Sequence, residues 1–467
     1  MSILLAASSE LPDWWQTFRS LSVEDKLLPL LWQLALVILL ARAFAVLFRR
    51  FGQPSVVGEI TAGLVLGPSV LGRFAPEVFQ AIFHPGVPGV PGEVFDSFVG
   101  CGITVLSEVG LILLLFLIGL EFEWHRIRRQ GRTALSISLA GILLPFALGY
   151  VLARIIHAEV AAAVPDLAFA LFCGTALSIT AIPVLGRIML EMNITRTRLG
   201  AVTIAAAALD DAAGWILLAA VAAVARSELA PVRILWMIAA TIAFVLFMFL
   251  VARPLLRRAA RLALRAGHGE IGVNALALLL VLLFGCALAT NRIGIFAVFG
   301  AFCLGAVLSG EHEFREAVGR RLRDVVTAFF LPIFFAYAGL RTNLNSLNSW
   351  PLWGMCGLVV LAGVLGKLGG CGLAARLGGL SPRESACVGA LMNTRGLMSL
   401  IVINLGKDLG VLPDSVFCMM VLMALLTTAL TSPLVLRLMP GTELEPYIRA
   451  SGYLEHSWRP SASRQSS

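Results

Sequence analysis

The composition of this 467-residue chain excludes a soluble protein. Hydrophobic residues make up 58% of it and charged residues only 14%, whereas an average soluble domain is about 25% charged. Apolar runs of about 20 residues recur along the chain, which is the length of helix that crosses a bilayer. The sequence therefore predicts an all-α polytopic membrane protein. The net charge of +8 does not indicate nucleic-acid binding, because the basic residues are sorted by membrane side.

Thirteen apolar segments follow one another along the chain, separated by short polar links. Segment 2 is short and rich in glycine, and segments 8 and 9 are divided only around Asn291-Arg292. The predicted segments 1 to 13 cover residues 27–48, 55–72, 103–122, 133–156, 165–190, 199–225, 231–252, 271–289, 293–309, 325–340, 352–377, 384–406 and 413–437. Together they predict about 13 transmembrane helices in one transmembrane domain, residues 27–437.

Basic residues alternate between the two ends of these segments. The links after odd-numbered segments and the C-terminal tail hold 24 of the 36 basic residues, whereas the N-terminal tail and the links after even-numbered segments hold nine. Cytoplasmic loops carry the excess of Lys and Arg, so residues 1–26 are expected outside and residues 438–467 form a short cytoplasmic tail. No basic region precedes the first apolar run, so no cleaved signal is expected. The expected location is a bacterial inner membrane.

Two groups of segments resemble each other. Segment 3 ends in LLLFLIGLEFEW and segment 10 in FFAYAGLRTNL, and segments 2 and 9 are both studded with glycine and alanine. If segments 2–6 repeat as 9–13, about 55–225 and 293–437, the odd offset of seven inverts one half relative to the other. Inverted repeats are typical of alternating-access transporters. The alternative is that membrane helices in general look alike.

Segments 5 and 12 correspond in the two repeats, and each carries a polar interruption near mid-depth. The residues concerned are Ser178, Thr180 and Pro183 in segment 5 and Asn393, Thr394 and Arg395 in segment 12. Proline removes a backbone hydrogen bond, and irregular backbone at membrane depth is tolerated only where it is buried or lines a cavity. The pair predicts two broken helices that line an ion site, although an ordinary proline kink would also explain segment 5.

Four charged residues lie deep in apolar segments. Asp210 and Asp211 are in the middle of segment 6, Lys367 is in segment 11 and Arg395 is in segment 12. A charge at this depth costs about 2.5–3.5 kcal/mol on insertion scales. Lys367 is the expected partner of one aspartate, while Arg395 is expected to neutralise carbonyl ends and acidic side chains in the broken helix. A purely structural ion pair is the alternative, but it explains the second aspartate poorly.

The second carboxylate suggests how transport is coupled. Proton and metal ion exclude one another when they share one carboxylate, so a carrier that moves only when loaded exchanges them obligatorily.

A cation channel remains an alternative, but neither a pore-forming symmetry nor a filter of repeated carbonyls is evident. An enzyme is not expected, since HExxH and GxSxG motifs are missing. The eight cysteines show no CxxC or Cys/His spacing, so no cofactor is expected.

These features resemble the monovalent cation:proton antiporter superfamily in its second branch, which includes bacterial sodium/proton and potassium/proton antiporters and plant cation/proton exchangers. The matching stretches are QPSVVGEITAGLVLGPSVLG (53–72), LLLFLIGLEF (113–122), AIPVLGRIMLEMNITRTRLGAVTIAAAALDDAAGWILLA (181–219), GIFAVFGAFCLGAVLSG (294–310), FFLPIFFAYAGLRTNL (329–344) and MNTRGLMSLIVINLG (392–406). They extend over most of the chain. The likeness to the plant exchangers is greatest at 294–344 and 392–406.

The resemblance implies a homodimer in which a dimerisation bundle holds a moving six-helix core bundle, about 133–225 and 352–437. Within that core, segments 5 and 12 would be two broken helices that cross. It implies that Asp211 carries the metal ion and the proton and that Asp210 pairs with Lys367. Members with this acidic pair are usually electrogenic, whereas many relatives in the branch have Asn or Gln in place of the first Asp. The chain also departs from relatives with long nucleotide-binding tails. The transported cation, sodium or potassium, stays open, and an electroneutral potassium/proton exchanger is an alternative.

Overall fold

The computed structural model describes residues 13–86, 90–121, 131–195, 197–225, 231–294, 297–451 and 453. Within these ranges the chain is helical and contains no β-strand. The all-α fold class is confirmed. Two helices that were predicted as single segments are interrupted, and two others continue through short π-helical stretches, Phe247–Ala252 and Val326–Phe330.

The described residues of the first half of the chain form ten helices. In chain order they are α1 Asp13–Ser20, α2 Val23–Arg50, α3 Ser55–Leu66, α4 Leu71–Phe74, α5 Pro76–Phe83, α6 Gly92–Leu120, α7 Gly131–Val160, α8 Asp166–Ser178, α9 Ile182–Glu191 and α10 Arg198–Ala225.

The second half continues the numbering. Its helices are α11 Pro231–Leu246, α12 Arg253–Ala266, α13 Val273–Ile293, α14 Ala297–Leu308, α15 His312–Val325, α16 Leu331–Leu340, α17 Trp350–Leu377, α18 Pro382–Met392, α19 Leu397–Asp408, α20 Asp414–Leu438 and α21 Glu445–Ala450.

Ten helical stretches in the described residues are long and apolar enough to cross a membrane. The three other predicted segments correspond to the interrupted pairs α8–α9 and α18–α19 and to the short apolar helix α14. Each predicted segment therefore has a helical counterpart. The count of 13 crossings itself stays a prediction.

Contacts between links support the alternation of the segments. Residues at the end of the molecule where even-numbered segments finish contact one another, and so do residues at the end where odd-numbered segments finish. The contacts are Ser69 with Thr342 and Ser346 with Asp414 in the first set, and Arg198 with Glu443 and Tyr453 with Gly52 in the second. We name the two ends of the molecule the Asp408 face and the Glu443 face, after the residues on them.

Several predicted boundaries were too narrow. Helix α6 begins at Gly92 rather than near residue 103, and part of the predicted N-terminal tail, 1–26, is helical from Asp13. The acidic residues that interrupt the apolar run at the start of α6 do not stop the helix, because Phe95 and Val99 on its other side pack against the region of Phe18.

The helices sort into two groups by their packing. Helix α7 packs against α8, α10 and α17, and α17 also packs against α18 and α20. Elsewhere α2 packs against α3, α3 against α16, and α6 against α14. Residues 131–225 and 350–438 therefore form one bundle, called the core here, and the remaining long helices form a second, called the scaffold. This grouping supports the predicted core bundle.

Candidate functional site

The site is built where the two interrupted helices of the core cross. Residues 179–181 separate α8 from α9, and residues 393–396 separate α18 from α19. The hydroxyl of Thr180 donates to the carbonyl of Met392 at 3.0 Å, and the backbone N–H of Ala181 donates to the carbonyl of Thr394 at 3.1 Å. Backbone groups freed by one break are thus satisfied by the other, so the two breaks form a single unit.

A glycine permits this close crossing. Gly396 lies immediately before α19 with a φ of +158°. A Cβ atom on this residue would lie 2.7 Å from a methyl carbon of Val184 in α9, which is closer than side-chain carbons approach. The requirement for glycine here comes from contact with the other broken helix.

Asp210 is the paired carboxylate. Its side chain is fully buried in the middle of α10, and its Oδ2 accepts a hydrogen bond from Nζ of Lys367 at 2.6 Å. The same oxygen accepts the backbone N–H of Thr180 at 3.0 Å. Asp210 therefore joins three elements of the core: α10, α17 and the break in segment 5.

Asp211 has a different environment, although it is the next residue. It is only 2% exposed, and its Oδ1 has no hydrogen-bond partner among the described residues. Successive helical residues point about 100° apart, so Asp211 does not share the lysine contact of Asp210. A buried carboxylate oxygen without a partner is costly, and a proton or a cation bound at Asp211 would remove that cost.

Arg395 binds carbonyl groups. Its Nη1 donates to the carbonyl of Ala176 at 2.9 Å, in the last turn of α8, and its Nη2 donates to the carbonyl of Gly363 at 3.3 Å. The expected neutralisation of carbonyl ends is present. No hydrogen bond joins the guanidinium to an acidic side chain among the described residues, but the guanidinium interacts electrostatically with Asp210.

The other predicted lining residues have unequal roles. Ser178 donates to the carbonyl of Thr175 at 2.9 Å in its own helix, and Thr394 donates to the carbonyl of Leu391 at 2.7 Å. Asn393 is fully buried, and neither polar atom of its side chain has a partner among the described residues. The backbone of Pro183 lies in the first turn of α9, but its side chain is outside the described part of the structure.

Hydroxyl groups of α20 also contribute to the site, and the sequence analysis missed them. The backbone N–H of Arg395 donates to Oγ1 of Thr428 at 3.1 Å, and that hydroxyl lies 2.7 Å from the carbonyl of Arg395. Oγ1 of Thr431 lies 3.3 Å from the hydroxyl of Thr394. The signal for them is the run TTALTS (427–432), which places hydroxyl groups on one side of an apolar helix.

The comparisons with known proteins agree with this architecture. The family model described as "Sodium/hydrogen exchanger, transmembrane" matches residues 35–438. The chain belongs to the sodium/hydrogen exchanger family. It is 37% identical over 426 residues to the Na(+)/H(+) antiporter NhaS4 of Synechocystis sp., with 89% of this chain and 98% of the relative covered.

This exchanger-family chain is also similar to a plant protein in sequence and to an archaeal protein in fold. It is 38% identical over 425 residues to Cation/H(+) antiporter 17 of Arabidopsis thaliana, which covers 90% of this chain. The chain spans about half the length of the plant relatives it matches, 50% in this case. Its fold matches the solved structure of the sodium proton antiporter MjNhaP1 from Methanocaldococcus jannaschii with a TM-score of 0.52 and 15% identity, covering 91% of this chain and 100% of the other.

Proposed function

We propose that this protein is a secondary active antiporter that exchanges a monovalent cation, sodium or potassium, for protons by alternating access. The observation that carries the proposal is the contrast between two adjacent buried carboxylates. Asp210 is paired with Lys367 at 2.6 Å through its Oδ2, whereas Asp211 makes no ion pair among the described residues. Oδ1 of each aspartate lacks a hydrogen-bond partner there. A transporter needs a carboxylate without a fixed counter-charge, because the transported cation or proton takes that place.

Competition for Asp211 would couple the two fluxes. A cation bound there requires the ionised carboxylate, and a proton bound there removes the charge that holds the cation. The fixed carbonyl and helix ends of the two breaks supply partial charges around it. When the core moves past the scaffold only with Asp211 occupied, each cation that crosses in one direction is exchanged for protons that cross in the other.

The orientation and assembly belong to the same proposal. The distribution of basic residues favours an outer Asp408 face and a cytoplasmic Glu443 face in a bacterial inner membrane. The dimer expected for the family would form through the scaffold and hold it still while the core of residues 131–225 and 350–438 moves. No step calls for a bound cofactor or for enzymatic chemistry.

A flux assay tests this function. Purified protein in proteoliposomes with a trapped pH indicator is exposed to sodium, potassium or lithium in parallel, with the membrane potential clamped by a different permeant ion. An antiporter moves protons when at least one cation is added and then reaches a coupled equilibrium. Cation flux that proceeds without counter-movement of protons would instead show a channel.

Lys367→Gln is expected to abolish the voltage dependence of exchange. If one cation exchanges for two protons, Lys367 supplies the second titrating group, releasing its proton when cation binding frees it from Asp210. Breaking the fully buried pair would leave the ammonium without its counter-charge, and loss of its proton would remove that uncompensated charge. One net charge per cycle is worth about 2.3 kcal/mol per 100 mV.

The measurement is ion-driven exchange at several clamped potentials, with Lys407→Gln as the matched control on the Asp408 face. Wild type and the control should accelerate with the imposed voltage, while Lys367→Gln exchanges electroneutrally or not at all. Voltage-independent exchange in the wild type refutes the electrogenic mechanism. Unchanged voltage dependence in Lys367→Gln removes the lysine from it.

A further inference from the structure

A cavity outside the site just described lies between the core and the scaffold. It has a volume of about 240 Å³, far above the ~10–15 Å³ that one water needs. On the scaffold side it is lined by residues 104, 107, 108 and 111 of α6, and on the core side by residues 401, 404, 405 and 408 of α19. Each set follows the i, i+3, i+4, i+7 spacing of a single helical stripe. The cavity therefore separates two facing helices that belong to different bundles.

The cavity contains a carboxylate that the transport mechanism has not used. Glu108 lies about 24 Å from the N-terminal end of α6 and about 18 Å from its C-terminal end at 1.5 Å per residue. No hydrogen bond or ion pair involves its side chain among the described residues. Its side chain is exposed rather than packed in protein, and an ionisable side chain inside a long apolar helix is a functional candidate.

The other charges on the cavity wall neutralise each other. Arg341, at the end of α16, donates to Asp408 at 2.5 Å and to Oδ1 of Asn404 at 3.3 Å. This ion pair leaves Glu108 as the uncompensated charge of the cavity. Ser107 and Asn291 on the same wall offer neutral oxygen atoms, which suit a partly hydrated monovalent cation.

The cavity also extends from the Asp408 face toward the crossing of the broken helices. Asp408 is at the end of α19, while Ile401 on the same stripe is five residues from Gly396, about 7.5 Å along the helix axis. A cation held at Glu108 would therefore be positioned between one membrane surface and the buried aspartates.

We infer that this cavity is a second cation-binding station, in which Glu108 captures a partly hydrated monovalent cation on its way between the Asp408 face and Asp211. The inference rests on the proposed antiport function and adds a site to it. Since Arg341 and Asp408 line the cavity at the Asp408 face, we expect it to contribute to the affinity for the cation on that face. Asp211 still serves cations arriving from both faces.

Glu108→Gln is therefore expected to weaken cation affinity on one side only. The cation concentration for half-maximal exchange at the Asp408 face should rise about tenfold, the equivalent of 1.4 kcal/mol. The maximal rate and the half-maximal concentration at the Glu443 face should stay unchanged. The measurement is proton flux driven by sodium and by potassium in right-side-out and inside-out vesicles that contain the full chain.

Two further variants make the test specific. Glu93→Gln is the matched control, because Glu93 is an exposed acid on the same helix and outside the cavity lining; it should behave as wild type on both faces. Glu108→Asp keeps the charge, so its half-maximal cation concentration at the Asp408 face should lie between those of wild type and Glu108→Gln. If Glu108→Gln does not fold, Glu108→Asp replaces it in the test.

The outcomes separate the station from the antiport function. Unchanged cation affinity at the Asp408 face in folded Glu108→Gln overturns the station and leaves antiport intact. An equal loss of affinity or rate on both faces also overturns it, because Glu108 would then act at the shared site or in the structure. Wild-type protein without cation-dependent proton flux overturns the proposed function and the station with it.

Discussion

Asp211→Asn is expected to reduce cation-dependent proton flux to the level of protein-free liposomes while the protein still folds. Asparagine has nearly the shape of aspartate but cannot carry a negative charge, so neither a proton nor a cation can be bound and released at this position. Folding should survive, because Asp211 makes no ion pair among the described residues and its Oδ1 is unpartnered. The measurements are flux in proteoliposomes and the thermal unfolding midpoint in detergent.

The matched control for this variant is Asp166→Asn. Asp166 begins α8 and pairs with Arg154 at 2.8 Å near the surface, where its side chain is 36% exposed, so the same chemical change should leave exchange close to wild type. Coupled transport that persists in purified Asp211→Asn protein would eliminate Asp211 as the shared carrier of cation and proton.

Asp210→Asn is expected to destabilise the protein by about 3–5 kcal/mol, because it leaves the ammonium of Lys367 buried without its counter-charge. Both side chains are fully buried, so water cannot replace the lost partner. Thermal unfolding in detergent measures the effect. We also expect altered coupling rather than complete loss of transport in the molecules that remain folded.

The double variant Asp210→Asn/Lys367→Gln controls for the loss of each side chain. It removes both charges, so it should be more stable than Asp210→Asn alone, and the non-additive part measures the pair itself. If Asp210→Asn unfolds at the wild-type midpoint and transports with the wild-type stoichiometry, Asp210 and Lys367 do not form a functional pair.

The interruptions in segments 5 and 12 could be predicted from the sequence because polar groups in apolar helices are expensive, whereas only the family resemblance implied that the two broken helices cross. The run around Asn393 and the hydroxyls around Thr180 interrupt segments that are otherwise continuous, and such interruptions persist only where the backbone is satisfied internally. The same cost makes Asp210 and Lys367 natural partners. Sequence could not tell which aspartate the lysine contacts; only the family resemblance assigned Asp210.

Other features depend on tertiary packing and could not be predicted in this way. Segment 3 was placed at 103–122, so Glu108 lay near its expected end, where a charge reaches water cheaply. The helix in fact starts at Gly92, because Phe95 is buried against neighbouring aromatic side chains, and Glu108 lies near the middle of the helix. The contribution of Thr428 was missed for a related reason: a threonine in an apolar helix ordinarily bonds its own backbone, and only the fold brings Thr428 to Arg395.

Proton release on cation binding tests the central claim most directly, because it needs neither a membrane nor a gradient. Purified protein in weakly buffered detergent solution is mixed with sodium or potassium chloride, and the pH change is compared with that produced by choline chloride. Competition at Asp211 predicts that wild-type protein releases protons with at least one of the two cations and that Asp211→Asn releases none at this site. No proton release from wild-type protein across the neutral pH range, or equal release from Asp211→Asn, would contradict a carboxylate shared by cation and proton.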